Sequence, residues 1–282
     1  MKRILTIQDF SCLGRCSLTV ALPVISAAGV ECCGIPTALL SNHTGFSSFY
    51  FSDLSEKLLP IGSQLQELGT SFDAVYTGYI ASAAQLELIS QLIDRFRGEN
   101  TLVLVDPVMG DNGRLYAALG GDFPEKMAQL CQKADVIMPN ITEACLLTDM
   151  EYHEDMTDEE YCDILEELYS RYHAGVVLTG VPCDNDRSKI GAVYYDGKGM
   201  TGSFMKRYPL TCAGTGDIFS SAFLGAVMRE KSYGEAMDIA VRYTNECVKL
   251  TAEDSDRRSY GVNFEQALPL YIDLLNGRCE NA

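Results

Sequence analysis

A glycine turn leads into an apolar helix in the stretch Thr211-Cys212-Ala213-Gly214-Thr215-Gly216-Asp217-Ile218-Phe219. Gly214 and Gly216 permit positive φ angles and close backbone contacts, and apolar residues recur at helical spacing from Ile218 onward. The first amides of a helix lack partners within the helix and lie at the positive end of its dipole. We therefore expect an anion site at the amides of Gly214, Thr215 and Gly216, next to the Asp217 carboxylate.

Anion binding beside a carboxylate suits phosphoryl transfer. The amides would hold the negative charge of the transferring group, and Asp217 would accept the proton of an attacking hydroxyl. The helix terminus is expected to keep Asp217 ionised and therefore a weak base, which suffices when the proton leaves late. The alternative is structural: a glycine turn that starts a core helix, with Asp217 as an ordinary residue of its first turn.

Length and composition are those of a globular protein with a full core. The 282 residues are 47% hydrophobic and 22% charged and contain no linker or repeat, so residues 1–282 are expected to form a single domain. The formal net charge of −17 disfavours nucleic acid and anionic membrane surfaces as partners. A phosphate ligand must then be held by local amides, a few cations and metal ions.

Targeting and redox signals indicate a cytoplasmic location. The sequence shows no run of eighteen apolar residues and no signal peptide after Met1. Its eleven cysteines are scattered, without C-x-x-C spacing, which is typical of reduced and mostly buried thiols. Because only three histidines are present, a structural zinc site is disfavoured.

Strand and helix patterns alternate along the chain. A strand is predicted for residues 3–8, then a loop over 9–14, and Pro36 indicates that the extended segment 30–39 lies at an edge. The apolar run Leu102–Val105 is typical of a central parallel strand. The alternation predicts an α/β fold with three layers, α/β/α, in which helices cover both faces of a mostly parallel sheet. Such sheets bind ligands at the carboxyl ends of their strands. Polar residues recur at those ends: Asp9, Thr77, Tyr79, Asp106, Asn140, Thr179 and the Gly214 turn.

Three acidic residues, Asp106, Asp111 and Glu143, are hard oxygen donors on two neighbouring loops at the strand ends. Mg²⁺ bound with a nucleotide commonly takes one or two carboxylates, often through water. Alternatively, Asp106 caps a turn before Pro107, and Glu143 lies on a solvated helix face. Asn140 equally suits a helix cap.

A polar loop rich in aromatic residues contains His43 and Thr44. Such a loop, together with Tyr79, suits closure over a flat ring. The structural alternatives are a satisfied loop histidine and a partly buried packing tyrosine. Two nucleotide motifs are missing, G-x-x-x-x-G-K-[ST] and G-x-G-x-x-G, which disfavours a Walker-type site and a dinucleotide-dependent oxidoreductase.

Taken together, these motifs resemble the pyridoxal kinase branch of the ribokinase-like superfamily over nearly the whole chain. They occur in matching order: Ile7-Gln8, Ser41-Asn42-His43-Thr44-Gly45, Thr77-Gly78-Tyr79, Asp106-Pro107-Val108-Met109-Gly110, Pro139-Asn140 with Glu143, Thr179-Gly180 and Gly214-Thr215-Gly216-Asp217. The resemblance implies a ribokinase-like fold, ATP as co-substrate and phosphorylation of the 5-hydroxymethyl group of a B6 vitamer. It also implies a homodimer and raises a monovalent cation as a second cofactor.

The resemblance implies a role for each matching residue. Asp217 would be the catalytic base, and the amides of Gly214, Thr215 and Gly216 would form the anion hole. Other residues would bind metal (Asp106, Glu143), the nucleotide (Asn140, Thr179, Thr215) and the pyridine ring (His43, Thr44, Tyr79).

One position departs from the family pattern, which has serine where this chain has Asp9. Asp9 would pair with a protonated ring nitrogen or a substrate amine, which favours pyridoxamine or widens the specificity to aminopyrimidines. The rival function is therefore a hydroxymethylpyrimidine kinase of thiamine metabolism. A catalytically silent ligand-binding protein on the same fold is a second rival, and the retained Asp217 argues against it because binding alone needs no base.

Overall fold

Strands and helices alternate through residues 1–278, the part of the chain that the computed structural model describes. The strands are β1 (Arg3–Leu13), β2 (Glu31–Asn42), β3 (Phe51–Asp53), β4 (Ala74–Thr77), β5 (Leu102–Val105), β6 (Gly110–Asp111), β7 (Arg114–Leu115), β8 (Val136–Ile137), β9 (Gly175–Cys183), β10 (Asp186–Tyr195) and β11 (Met200–Lys206). The helices are α1 (Leu18–Ala27), α2 (Ser55–Glu67), α3 (Ala83–Phe96), α4 (Phe123–Cys131), α5 (Ile141–Thr148), α6 (Asp158–Tyr172), α7 (Thr215–Met228), α8 (Tyr233–Glu253) and α9 (Phe264–Leu275).

One nine-stranded sheet runs through the molecule in the order β11-β10-β9-β8-β5-β4-β1-β2-β3. Its centre, from β9 to β2, is parallel, and antiparallel strands lie at both ends. β6 and β7 form a separate small hairpin. The mostly parallel sheet of the predicted α/β fold is confirmed.

Apolar side chains of the sheet supply two cores, one on each face. Because side chains alternate along a strand, Leu5 and Val75 face one core while Ile4 and Tyr76 face the other. Helices α2 to α6 cover the first face, and α1, α7, α8 and α9 cover the second. Helices therefore lie on both faces, as predicted.

The first strand is longer than the sequence predicts. β1 continues to Leu13 because β2 pairs with it as far as Asn42, so the predicted loop over 9–14 was wrong for most of its length. The register shifts between Gln8 and Phe10, where β2 carries one extra residue. A bulge of this kind re-aims nearby side chains, and the Asp9 side chain is buried beside it.

The predicted edge at Pro36 needs a correction. β2 lies between β1 and β3, so β3 is the outermost strand. β3 pairs only with residues 38–40, however, and Pro36 therefore faces no further strand on that side. Its missing N–H leaves no gap in the ladder.

Helix α7, which carries the glycine turn, is held deep in the second core. A Cβ at Gly225 would lie 3.0 Å from the Ala28 side chain, so α7 packs closely on the end of α1. The Tyr271 hydroxyl on α9 donates to the Ala222 carbonyl at 3.0 Å. Among the described residues, none of the helices combines the length and apolarity that crossing a bilayer requires.

Candidate active site

The turn before α7 requires glycine at position 214. Gly214 has a φ of 82°, and a Cβ there would lie 1.8 Å from the Arg15 carbonyl oxygen. The helix begins directly afterwards, at Thr215 rather than at Ile218 as predicted. The predicted positive φ at Gly216 was also wrong, because Gly216 already belongs to the helix. Position 214 requires glycine because the Arg15 backbone leaves no room for a side chain there.

Free amides point out of the N-terminus of α7. The first helical bond runs from the Ile218 N–H to the Gly214 carbonyl at 3.0 Å. Within residues 1–278, no acceptor is bonded to the backbone N–H groups of Gly214, Thr215, Gly216 or Asp217. These groups are available to an anion, as the sequence predicts.

Asp217 lies in the first turn of α7 and is the acidic residue nearest these amides. Part of its surface stays exposed, but protein atoms surround its carboxylate and raise its pKa to about 7. The negative charge of Asp9 adds to this increase, while the backbone N–H of Ser17 opposes it. The expectation of a fully ionised, weak base was wrong, because burial outweighs the helix terminus.

Asp106 follows β5 and faces the same helix. It is 5% exposed, and its Oδ2 accepts a hydrogen bond from the Ser220 hydroxyl of α7 at 2.8 Å. Burial, and then the neighbouring Asp217 charge, raise the pKa of Asp106. The bond to Ser220 joins the end of β5 to the face of α7 that carries Asp217.

Glu143 is buried at the start of α5, so the expected solvated helix face was wrong. Its Oε1 accepts from the Met109 N–H at 3.1 Å, and its Oε2 accepts from the Asn140 N–H at 2.9 Å. Asn140 returns a bond from its Oδ1 to the Glu143 N–H, which completes a capping box. Burial and the charge of Asp106 raise the pKa of Glu143 despite these bonds.

Two buried carboxylates without a cationic side chain fit a bound cation. Asp106 and Glu143 influence each other's charge, and no Lys, Arg or His of the described chain lowers the pKa of either. Within residues 1–278, no group of three His, Cys, Asp or Glu residues has the spacing of a metal site. A cation here would therefore take the rest of its ligands from phosphate and water.

Asn140 and Thr179 lie side by side at the strand ends, joined by a parallel backbone bridge. The Asn140 side chain also donates to the Gly110 carbonyl at 2.9 Å, and the Thr179 hydroxyl donates to the Pro139 carbonyl at 3.3 Å. Both side chains thus hold neighbouring loops in place. The capping role considered for Asn140 is confirmed, whereas nucleotide contact stays a prediction for both residues.

The predicted ring-binding residues lie around Asp9. Its charge raises the pKa of the Tyr79 phenol and opposes the lowering of the pKa of His43 by burial, so both side chains lie within electrostatic reach. The His43 ring accepts from the Gly45 N–H at 3.0 Å and packs on Phe46 at 4.9 Å between centroids. Thr44 beside it is exposed.

Two serines of the site were missed by the sequence reasoning. Ser220 lies one turn after Asp217 on the same helix, so helical spacing alone could have identified it. Ser17 is 3% exposed and bonds to Asp9. No local signal marks Ser17, because its partners lie on β1 and α7.

The fold and the arrangement at its strand ends define a kinase of the ribokinase-like class. The chain belongs to the phosphomethylpyrimidine kinase family, whose model matches residues 21–262.

Similar proteins align with most or all of the chain. It is 36% identical to a candidate phosphomethylpyrimidine kinase from Bacteroides thetaiotaomicron crystallised with pyridoxal, with a TM-score of 0.90 over 96% of this chain and 95% of that one. It is 31% identical to pyridoxal kinase from Lactobacillus plantarum, with a TM-score of 0.88 and complete coverage of both. Pyridoxal kinase from Arabidopsis thaliana is 28% identical over 92% of this chain and 85% of that protein.

The buried Asp106 carboxyl predicts that the stability of the protein depends on pH. Because the folded state raises the pKa of Asp106, the unfolded chain loses this proton first, and stability falls as pH rises above about 4. We expect Asp106→Asn to melt at a higher temperature than the wild type, by a margin that widens from pH 5 to pH 8. Thermal melts at both pH values measure it.

Asp111, an exposed carboxylate on the β6–β7 hairpin, provides the matched control. Asp111→Asn, the same change at an exposed position, should not melt at a higher temperature than the wild type, because it removes no burial cost. If the margin for Asp106→Asn did not change with pH, the raised pKa of the buried Asp106 carboxyl would be contradicted.

Proposed function

We propose that this protein transfers the γ-phosphoryl group of ATP to the 5-hydroxymethyl group of a B6 vitamer: pyridoxal, pyridoxine or pyridoxamine. One observation carries the proposal: the Asp217 carboxylate lies beside backbone amides that lack acceptors within the described chain. A base with a pKa near 7 matches the operating pH, and positioned amides stabilise charge that develops on a transferring phosphoryl group. The named activities of the Arabidopsis and Lactobacillus relatives support the same substrate class.

The metal is proposed to be Mg²⁺, held by Asp106 and Glu143 with ATP phosphates and water. It would supply the positive charge that the two buried carboxylates lack and would neutralise charge on the phosphates. Asn140, Thr179 and the Thr215 amide are proposed to lie along the nucleotide phosphates. A monovalent cation near the same phosphates completes the proposed cofactors.

The pyridine ring is proposed to lie among His43, Thr44 and Tyr79, beside the buried Asp9 carboxylate. Tyr79 offers an aromatic face close to the buried Asp9 carboxylate. His43 and Thr44 lie on the loop that follows β2, next to an aromatic pair formed by Phe46 and Tyr260 at 6.2 Å. We propose that this loop covers the ring.

The rival substrates are less well supported. The Bacteroides relative was crystallised with pyridoxal although it carries the phosphomethylpyrimidine kinase name, so the family name does not point to the pyrimidine. A silent ligand-binding protein would gain nothing from a carboxylate whose burial raises its pKa. The B6 vitamer is therefore the favoured acceptor.

The direct test is ADP release with ATP and Mg²⁺ on pyridoxal, pyridoxine, pyridoxamine and hydroxymethylpyrimidine. We expect turnover on at least one B6 vitamer and a loss of at least about 100-fold in Asp217→Asn, because the amide cannot accept the proton. Asp273→Asn, a change on the far helix α9, should leave turnover unchanged. Turnover on the pyrimidine alone would overturn the B6 assignment.

The Asp217 pKa of about 7 predicts the acid limb of the rate profile. Because Asp217 must be ionised to accept a proton, kcat/KM should fall tenfold per pH unit below about pH 7. The vitamers titrate differently, so a limb shared by all three belongs to the enzyme. A limb whose position changes with the vitamer would contradict the assignment.

A homodimer is proposed from the surface around β2 and β3. Large apolar side chains are exposed there: Leu13, Leu39, Phe49, Tyr50 and Phe51. They adjoin an apolar cavity of about 310 Å³ between α1 and the sheet. A second copy of the chain would remove this surface from water. A cytoplasmic location is also proposed, supported by the ten described cysteines, which are all free thiols.

The dimer proposal predicts that Tyr50→Lys yields monomers at micromolar concentration, because the charge would be buried in the interface. Sedimentation velocity measures the state. Ile272→Lys, at an exposed apolar position on α9, is the control and should stay dimeric. A dimeric Tyr50→Lys protein would place the interface elsewhere.

A further inference from the structure

Ser17 has a backbone conformation that is unusual for a serine. Its φ is 49° and its ψ is −133°, although it precedes a regular helix. Its carbonyl accepts the first two bonds of α1, from Val20 at 3.0 Å and Ala21 at 2.9 Å. Its hydroxyl, however, does not cap that helix. A non-glycine residue keeps such a conformation only when its surroundings enforce it.

Asp9 is the group that takes the Ser17 hydroxyl. The Ser17 hydroxyl donates to Oδ1 of Asp9, and the Ser11 hydroxyl donates to Oδ2 at 3.0 Å. All three side chains are buried. Both carboxylate oxygens are therefore engaged by the protein itself, before any substrate is considered.

The other side of the Ser17 turn touches the start of α7. The Arg15 carbonyl lies where a Gly214 Cβ would be, and the Cys16 Cα lies 3.4 Å from the same point. The Ser17 backbone N–H opposes the increase in the pKa of Asp217, so it lies within reach of that carboxylate. One short turn thus connects the buried Asp9 to the first turn of α7.

We propose that Asp9 is a positioning residue: by accepting the Ser17 hydroxyl, it holds the Ser17 amide against the Asp217 carboxylate and orients that carboxylate for catalysis. This inference rests on the proposed function, in which Asp217 is the base. It gives Asp9 a role different from the direct substrate contact that its position beside the ring site suggests.

The two roles make opposite predictions about substrates and variants. A residue that pairs with a substrate cation acts through KM and favours one vitamer. A residue that positions the base acts through kcat and affects all vitamers equally, because each presents the same hydroxymethyl group. Asparagine also separates the roles, since its carbonyl oxygen still accepts the Ser17 hydroxyl while its charge is gone.

The test measures kcat, KM and vitamer Kd for Asp9→Ala, Asp9→Asn, Ser17→Ala and the Asp9→Ala/Ser17→Ala pair. We expect Asp9→Ala and Ser17→Ala to lower kcat by about 10- to 100-fold, as small misplacements of catalytic groups do. KM and Kd should stay within about twofold for all three vitamers. The kcat of the double variant should be no lower than that of the less active single variant. Asp9→Asn should keep most of the activity that Asp9→Ala loses.

Two further comparisons isolate the path through Asp217. Ser11→Ala removes the other hydroxyl from Asp9 and leaves the Ser17–Asp9 bond in place, so its kcat should stay within about threefold of the wild type. In an Asp217→Asn background, measured in single turnovers, Asp9→Ala and Ser17→Ala should cause no further loss. Circular dichroism confirms that each variant is folded, and Ser17→Ala carries the test if Asp9→Ala is not.

Several outcomes would overturn the inference. These are a loss confined to pyridoxamine, equal losses in Asp9→Ala and Asp9→Asn, additive losses in the double variant, or a further loss in the Asp217→Asn background. An unchanged kcat in Ser17→Ala, with an active wild type, would overturn this inference alone. A wild type inactive on every vitamer would instead overturn the proposed function, and this inference with it.

Discussion

The close approach of the Arg15 carbonyl to Gly214 is the constraint on which the site depends. That oxygen occupies the space that a side chain at position 214 would need. Only a glycine, here with a positive φ, therefore fits at this position. The contact brings the turn after β1 against the N-terminus of α7. It therefore brings together two groups from opposite ends of the sequence, the Ser17 amide and the Asp217 carboxylate. Together with the bond between Ser220 and Asp106, it fixes the start of α7 at this edge of the sheet.

Three acidic side chains add a second constraint. Asp9, Asp106 and Glu143 are buried, and burial raises the pKa of each. Such groups cost stability unless a partner compensates them. Under the proposed function, a metal ion bound together with ATP would supply this compensation, and the cost of burying the free carboxylates would favour its binding.

Much of the fold could be predicted because its signals are local. The apolar run Leu102–Val105 marks a central strand wherever it is placed, and the capping boxes that begin at Asn140 and Thr157 mark helix starts. Loops over parallel strands meet at one edge, so Asp106, Asn140 and Thr179 could be assigned to one site without coordinates. The errors fell where a distant segment decides. β1 extends past Asp9 because β2 pairs with it, and Glu143 is buried where the distant Met109 N–H binds its carboxylate.

The sequence by itself determined the layered α/β fold, the glycine turn that begins α7, and the identity of the acidic residues at the strand ends. These follow from residue type and spacing, which act over a few neighbours along the chain. Only the tertiary structure decided that Asp217 has a pKa near 7, that Glu143 is buried, and that Asp9 binds Ser17. Solvation and charge pairing depend on which atoms surround a group in space, and those atoms come from strands and helices far apart in the sequence.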